Sequence, residues 1–275
     1  MNSHDAKLKC NRSIEKIEKA IKEHRPTLMV GGIIASTPAL AKTAIDAGLR
    51  MLEPNHPAVG LTRGLFPGVT TMNEAESVRY KLPYEVMLDT VRGLRNMVGE
   101  IPYICVGIPG VFTEKAPIKL TEEIIFAFSE AGADGFHQHK SSFVDIEELT
   151  VVAHKAGLIL DAYIDEDGLL GIQAKDNSEV REYAEKLEKI GVDMIGIMSS
   201  SLYKGASSGE LNSRYVGRLD TLVETIKIPK IAEGGITLNN VHSILNHGID
   251  ILVISTSIDD YIKASVNEVI SKFLS

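Results

Sequence analysis

Two histidines separated by a single residue form the pair of side chains in this sequence with the clearest chemical potential. His137 and His139 lie in the segment DGFHQH. Alternate residues of an extended strand project to the same side, so the two imidazoles face one space. Such a pair can bind a metal or supply a general acid or base beside a group that orients the substrate. We expect His139 to act in catalysis and His137 to bind substrate. The alternative is a core histidine beside a second one that caps a loop.

Glu233 is a carboxylate within an apolar run, in the segment IAEGGIT. Burial among apolar residues raises the pKa of a carboxyl group toward the range that suits a general base. We therefore expect Glu233 to be catalytic. The structural alternative is a buried ion pair with a lysine such as Lys140.

Glycine marks the ends of the helices that would hold these residues. A helical pattern repeatedly ends in glycine, with an apolar run one to three residues later, at Gly48, Gly132, Gly157, Gly191 and Gly248. Glycine there is the left-handed cap that lets a helix turn back into a strand. Helix starts are predicted from a capping box at Asp145-x-x-Glu148 and from caps at Thr121, Ser178 and Thr237.

Eight short apolar runs between these marks are predicted to be parallel strands buried on both faces. They span residues 27–33, 50–54, 102–108, 134–139, 158–163, 193–198, 230–235 and 250–255. Each is predicted to be followed by one helix, and residues 13–24 form an extra helix before the first strand. The pattern indicates an α/β protein, a (β/α)8 TIM barrel with an extra N-terminal helix, as one domain over residues 1–275. An open, doubly wound sheet is the alternative.

Active sites of such barrels lie at the C-terminal ends of the strands. Besides the histidines, those ends carry Asp161, Tyr163, Ser255 and a set of expected substrate-binding residues, namely Glu53, Asn55, Lys140, Ser199 and Ser200. Two long connections, residues 55–83 and 199–213, are expected to border the site, because loops of that length are often functional.

Phosphate binding is predicted from the glycine pair Gly234-Gly235 and from Thr256 and Ser257 at the start of the last helix. Barrels commonly bind phosphate through backbone N–H groups at these two places. Asp259 and Asp260 oppose the prediction, since they would repel an anion there.

Composition limits the classes of partner. The formal net charge is −8 and no basic run is present, which opposes nucleic-acid binding. No apolar run reaches the ~18 residues of a membrane span, and the polar N-terminus shows no signal peptide, so we expect no membrane partner. Cys10 and Cys105 are expected to be free thiols in a cytoplasmic protein. A homo-oligomer is left open.

The C-terminal half resembles a known group of barrels. Residues 131–258 are similar to the ribulose-phosphate-binding barrels, and most to N-acetylmannosamine-6-phosphate 2-epimerases, through AGADGFHQH, GVDMIGIMSS and IAEGGIT…GIDILVISTSI. The resemblance implies that Glu233 is an acid/base and that Gly234 and Ser257 lie in phosphate turns. It also shows departures, because Ile108 stands where that family has its catalytic lysine, and His139 replaces its acid.

These observations predict an isomerase or epimerase of carbohydrate metabolism, acting on a small molecule such as a sugar phosphate by proton transfer next to a carbonyl. No cofactor is expected in that version. One alternative is a metal-dependent enzyme with Glu53, His137, His139 and Glu233 around a divalent ion. Others are a lyase or aldolase using Lys140 or Lys204, and a non-catalytic barrel that senses a metabolite.

Overall fold

Short buried strands alternate with helices along the chain. In the computed structural model, residues 2–108, 120–168, 170–198 and 213–275 are described. The strands are β1 (Thr27–Val30), β2 (Met51–Leu52), β3 (Tyr103–Gly107), β4 (Gly135–His137), β5 (Ile159–Asp165), β6 (Ile172–Gln173), β7 (Met194–Met198), β8 (Lys230–Glu233) and β9 (Ile251–Ile254).

The strands close into a ring. β1 pairs in parallel with both β2 and β9, and β4 pairs with β5. β6 lies outside this ring, paired to the end of β5. The remaining eight strands form the closed parallel barrel, so the predicted (β/α)8 fold is confirmed and an open sheet is excluded.

The helices surround the barrel. They are α1 (Ser3–Glu23), α2 (Gly32–Ser36), α3 (Pro38–Asp46), α4 (His56–Thr62), α5 (Met72–Val78), α6 (Tyr84–Val98), α7 (Glu122–Ala131), α8 (Phe143–Lys155), α9 (Asn177–Ile190), α10 (Ser213–Thr225) and α11 (Thr256–Leu274). Within the described part of the chain, no helix combines the length and apolar character needed to cross a membrane.

The core has two layers. An outer layer packs between strands and helices. An inner layer fills the barrel and includes Met29, Met51 and Tyr103 from the strands together with Ile17 and Ala20 from α1. The predicted extra helix is therefore confirmed. Because α1 packs into the N-terminal end of the barrel, we expect the functional side chains at the C-terminal end.

Several local predictions were wrong. Ser142, and not Asp145, caps α8, because the Asp145 amide donates to Ser142 Oγ. Asp176 caps α9 in place of Ser178. Thr237 does not begin an α-helix, and a short 3-10 helix follows instead at Val241–Ser243. The cap at Thr121 is confirmed by its bond from the Ile124 amide.

The connection predicted as a long loop over residues 55–83 is largely helical. It contains α4, α5 and a 3-10 turn at Arg79–Lys81. A capping box at Thr71 and Glu74 begins α5. The second long connection, residues 199–213, lies almost wholly outside the described residues.

Candidate active site

Inward-facing strand positions lead directly to the polar residues at the mouth of the barrel. Met51 and Ile231 belong to the inner core, and two residues further along stand Glu53 and Glu233. A strand repeats its facing every two residues, so these carboxylates also face inward. They line a cavity of about 50 Å³ together with His137, His139, Glu76 and Arg79. Five of the twelve predicted site residues therefore line one cavity, namely Glu53, Asn55, His137, His139 and Glu233.

His137 is held between two carboxylates. Its Nδ1 lies 2.8 Å from Asp161 Oδ2 on β5, and its Nε2 lies 3.3 Å from Glu233 Oε2. Asp161 is fixed in turn by the Gln138 amide, which donates to Oδ1. Burial alone would lower the pKa of His137, but Asp161 and Glu233 raise it well above the ordinary value. The two carboxylates therefore stabilise a positive charge on His137.

His139 packs edge-on against His137, with ring centroids 4.6 Å apart. Its Nδ1 lies 2.9 Å from the carbonyl oxygen of Leu170. A carbonyl only accepts, so Nδ1 carries the proton and Nε2 keeps its lone pair. Burial, and then the charge of His137, lower the pKa of His139 to about 3. The ring is therefore neutral.

Glu233 ends β8, where the Tyr215 hydroxyl donates to its backbone carbonyl. Its side-chain Oε2 is buried and forms an ion pair with His137 Nε2 over 3.3 Å, and it has no further hydrogen-bond partner within the described residues. Burial acts to raise the pKa of Glu233, but His137 outweighs it and leaves the pKa below the ordinary value. One anionic oxygen is thus available in the cavity.

Glu53 is held in its place by Asn55 and by two glycines. Asn55 caps α4 by accepting from the Ala58 amide, and its Nδ2 donates to Glu53 Oε2 over 2.8 Å. A Cβ added at Gly31 would meet Glu53 Oε2 at 2.5 Å, and one at Gly107 would collide with Oε1. Burial raises the pKa of Glu53 to about 8. Gly31 and Gly107 have no functional side chain, but their lack of a Cβ makes room for the Glu53 carboxyl group.

Lys140 is the predicted substrate-binding residue that the described structure leaves outside this cavity. Lys140 is half-buried and is not among the described residues that line it. His137 takes the place beside Glu233 that was considered for a lysine. Ser199, Ser200 and Lys204 fall outside the described residues.

One side chain of the predicted phosphate turns, that of Ser257, already has a partner within the protein. Ser257 Oγ donates to the Ile236 carbonyl over 3.0 Å. Asp259 Oδ1 accepts from the Ile33 amide at the start of α2, over 2.8 Å. Thr256 and Asp259 line a second cavity of about 540 Å³. Phosphate binding by Gly234, Gly235, Thr256 and Ser257 stays a prediction.

Arg79 and Glu76 were not predicted for the site. They come from α5 and its following turn, inside the connection that was interpreted as a loop. A search of strand ends could not find them. The capping box Thr71-x-x-Glu74 was a usable signal, because it places a helix there with Arg79 at its end.

The fold and the position of this cavity define a (β/α)8 barrel with a candidate active site at the C-terminal mouth. Residues 158–258 match the family model described as thiamine monophosphate synthase, TMP-TENI. The thiamine-phosphate synthase of Methanobrevibacter smithii is 32% identical over 95 residues, which are 34% of this chain and 43% of that protein. The chain thus aligns with less than half of the length of this curated relative.

Solved structures show the same fold. Phosphonopyruvate hydrolase complexed with oxalate and Mg²⁺ superposes with a TM-score of 0.64 at 14% identity, covering 94% of this chain and 86% of that one. Thiamine phosphate pyrophosphorylase of Pyrococcus furiosus gives 0.51 at 19% identity, covering 84% and 86%. The fold implied by the epimerase resemblance is confirmed, and the epimerase relation itself stays a prediction.

Proposed function

We propose that this protein is a metal-dependent enzyme that moves a proton next to a carbonyl group of a small substrate. His137, His139 and Glu233 would hold the divalent ion. The observation that carries the proposal is the direction of the two histidines. Their Nδ1 atoms are engaged by Asp161 and by the Leu170 carbonyl, so each ring would bind the cation through Nε2. At His137 the ion would displace the Nε2 proton that faces Glu233.

The spacing of the donor atoms supports this assignment. One ligand atom from each of the three residues lies within 4.8 Å of the others. Ligands of a tetrahedral ion with bonds of ~2.0–2.2 Å lie about 3.3–3.6 Å apart. The His137 Nε2–Glu233 Oε2 distance of 3.3 Å already matches. Two imidazoles and a carboxylate suit Zn²⁺, Mn²⁺ or Fe²⁺ and leave further coordination positions for substrate.

Glu53 would act as the general base that takes and returns the proton. A bound divalent ion would polarise the carbonyl oxygen of the substrate. The Glu53 carboxylate would take the proton from the adjacent carbon, while the electrons of the C–H bond move toward that oxygen. Glu53 would then return a proton to the same carbon or to its neighbour. A pKa near 8 is close to the range in which a carboxyl group exchanges protons efficiently near neutral pH.

The metal-free mechanism predicted from the sequence, with Glu233 as base and His139 as acid, is the alternative. The ion pair between His137 and Glu233 favours it. The neutral His139 ring speaks against it, because Nε2 can accept a proton but has none to deliver. Both versions describe proton transfer next to a carbonyl, and they differ in the metal.

A second candidate function is the synthesis of thiamine monophosphate. The family match over residues 158–258 favours it. That stretch contains β8 and Glu233 but neither His137, His139 nor Glu53. Incubation of the protein with the precursors of thiamine monophosphate, followed by chromatography for the product, tests this candidate.

Metal binding tests the main proposal. Calorimetric titration of chelator-treated protein with Zn²⁺ and Mn²⁺ should show one site for each ion. His139→Gln and Glu233→Gln should each weaken binding at least tenfold. His154→Gln is the matched control, since His154 is partly exposed and pairs with Asp193 on the outside of the barrel. Binding that is absent, or unchanged in both site variants, contradicts the proposal.

Solvent hydrogen exchange tests the chemistry. The metal-loaded protein is incubated in D₂O with small ketones, aldehydes, sugars and their phosphates, and deuterium uptake beside the carbonyl is followed by NMR. Uptake that requires the metal supports an enzyme. Ligand binding with no uptake for any compound would support the metabolite-sensing alternative.

A further inference from the structure

Arg79 is a buried cation whose donors are only partly used. The residue is 3% exposed. Its Nη1 donates to Glu76 Oε2 over 3.0 Å, whereas its Nε is buried with no hydrogen-bond partner among the described residues. A guanidinium has five N–H donors, and burying them unsatisfied is unfavourable. This arrangement requires a reason beyond the pairing with Glu76.

The location of Arg79 suggests what the missing partner is. Arg79 lines the same cavity as His139 and Glu233, and it is the single lysine or arginine among the described residues that do so. The carboxyl groups of Glu76 and Glu233 also line the cavity. A substrate anion entering beside them needs a cation to offset their charge, and Arg79 is placed to supply it.

We infer that Arg79 binds an anionic group of the substrate, a carboxylate or a phosphate, beside the carbonyl that the metal would polarise. The inference rests on the proposed function for the position of the carbonyl. The planar guanidinium matches both anions by forming two parallel hydrogen bonds. A cavity of about 50 Å³ admits a group of a few heavy atoms at this point.

Glu76 weakens anion binding at Arg79. It shares Arg79 with the incoming anion and neutralises part of its charge. Removal of the Glu76 charge should therefore strengthen anion binding, whereas removal of the Arg79 charge should weaken it. A purely structural ion pair between the two would predict no gain from the Glu76 variant.

Calorimetry with three probes tests the inference. Pyruvate carries a carboxylate beside a carbonyl, inorganic phosphate supplies the other anion, and hydroxyacetone is a neutral analogue of similar size. Each is titrated into metal-free and metal-loaded protein. We expect pyruvate or phosphate to bind, with hydroxyacetone at least tenfold weaker, and the preferred anion identifies the source of the charge.

Three variants complete the design. Arg79→Met should weaken binding of the preferred anion about 10- to 100-fold, in line with the loss of a charge-assisted hydrogen bond. Glu76→Gln should tighten it severalfold, which provides a readout if Arg79→Met fails to fold. Arg92→Met is the control, because Arg92 is exposed and pairs with Asp89 on α6, and it should leave binding within twofold.

Three results overturn the inference. The first is that neither anion binds the wild-type protein with or without metal. The second is that Arg79→Met, folded as judged by circular dichroism, binds the anion as the wild type does. The third is that Glu76→Gln binds the anion no more tightly than the wild type does. The separate metal titration distinguishes this failure from that of the proposed function. If the protein binds no metal but still binds the anion through Arg79, the anion site is supported and the metal-dependent function is contradicted.

Discussion

At the scale of single residues, two glutamates of the same cavity have opposite properties. Burial raises the pKa of Glu53 to about 8, whereas the cationic His137 keeps the pKa of Glu233 low despite its burial. Environments that push the pKa values of two like groups apart often separate two roles in one site. Here the anionic Glu233 suits a cation, and Glu53 suits proton exchange.

Glu53→Gln should lower solvent hydrogen exchange by roughly 10²–10⁴-fold, the usual contribution of a general base. Glutamine keeps the shape and can still accept from Asn55 Nδ2. Metal binding should therefore stay within twofold of the wild type. NMR exchange rates and calorimetry on the same preparation check both statements. Exchange that continues at the wild-type rate would remove Glu53 from the mechanism.

Asp161→Asn tests whether the hydrogen bond from Asp161 positions His137 for metal binding. Asp161 fixes the Nδ1 proton and the orientation of the ring, and loss of such a partner typically costs 10- to 100-fold in metal affinity. We expect a loss of that size in the Zn²⁺ titration, with the melting temperature recorded on the same sample. An unchanged metal dissociation constant would mean that Asp161 has a structural role only.

At the scale of elements, α1 closes one end of the barrel. Ile17 packs in the inner core, and Lys16 Nζ reaches Asp134 Oδ1 at the start of β4 over 2.7 Å. Arg95 binds the other oxygen of Asp134. The helix therefore contributes both apolar packing and a charged anchor at the end of the barrel opposite to the site.

Ile17→Ala should lower the free energy of unfolding by about 2–5 kcal/mol, because it leaves a cavity in the core. Leu8→Ala, on the same helix but 41% exposed, is the control and should have a much smaller effect. Urea denaturation measures both. Metal affinity of the folded Ile17 variant should match that of the wild type, since α1 lies away from the mouth.

The element pattern was predictable from the sequence because it depends on local signals. Apolar runs and glycine caps located all eight ring strands. His137, His139 and Glu233 followed from their positions at strand ends. Arg79 could not be found in this way, since its approach to the cavity depends on how α4 and α5 pack. The need for glycine at position 107 could not be predicted either, because it arises from the side chain of Glu53, which follows another strand.

At the scale of the whole molecule, the first and last βα units are joined in two ways. β1 pairs with β9, and Asp259 of α11 accepts from the Ile33 amide of α2. Burial raises the pKa of Asp259 to about 6 from 3.8, although the bond from Ile33 opposes the shift. The folded state thus prefers the protonated carboxyl group.

Stability should accordingly depend on pH through Asp259. Its contribution is fully present below pH 3.8 and is lost as the pH rises through about 6. Asp259→Asn stays neutral at every pH, so it should gain on the wild type between pH 4 and pH 7. Urea denaturation of both proteins at pH 4, 5, 6 and 7 gives this difference. A difference that is constant over the range would contradict the shift.

The packing of Glu53 has a consequence for how this sequence can diverge. Its carboxyl group fills the volume that a side chain at Gly31 or Gly107 would need. Replacement of Gly31 therefore becomes acceptable only after position 53 has shortened. Replacement of Gly107 needs a change at position 55 as well, because the added Cβ would lie 2.6 Å from Asn55 Cβ. In an alignment of relatives, alanine or serine at position 31 should be accompanied by a residue smaller than glutamate at position 53, and glycine at 107 should persist wherever asparagine stands at 55.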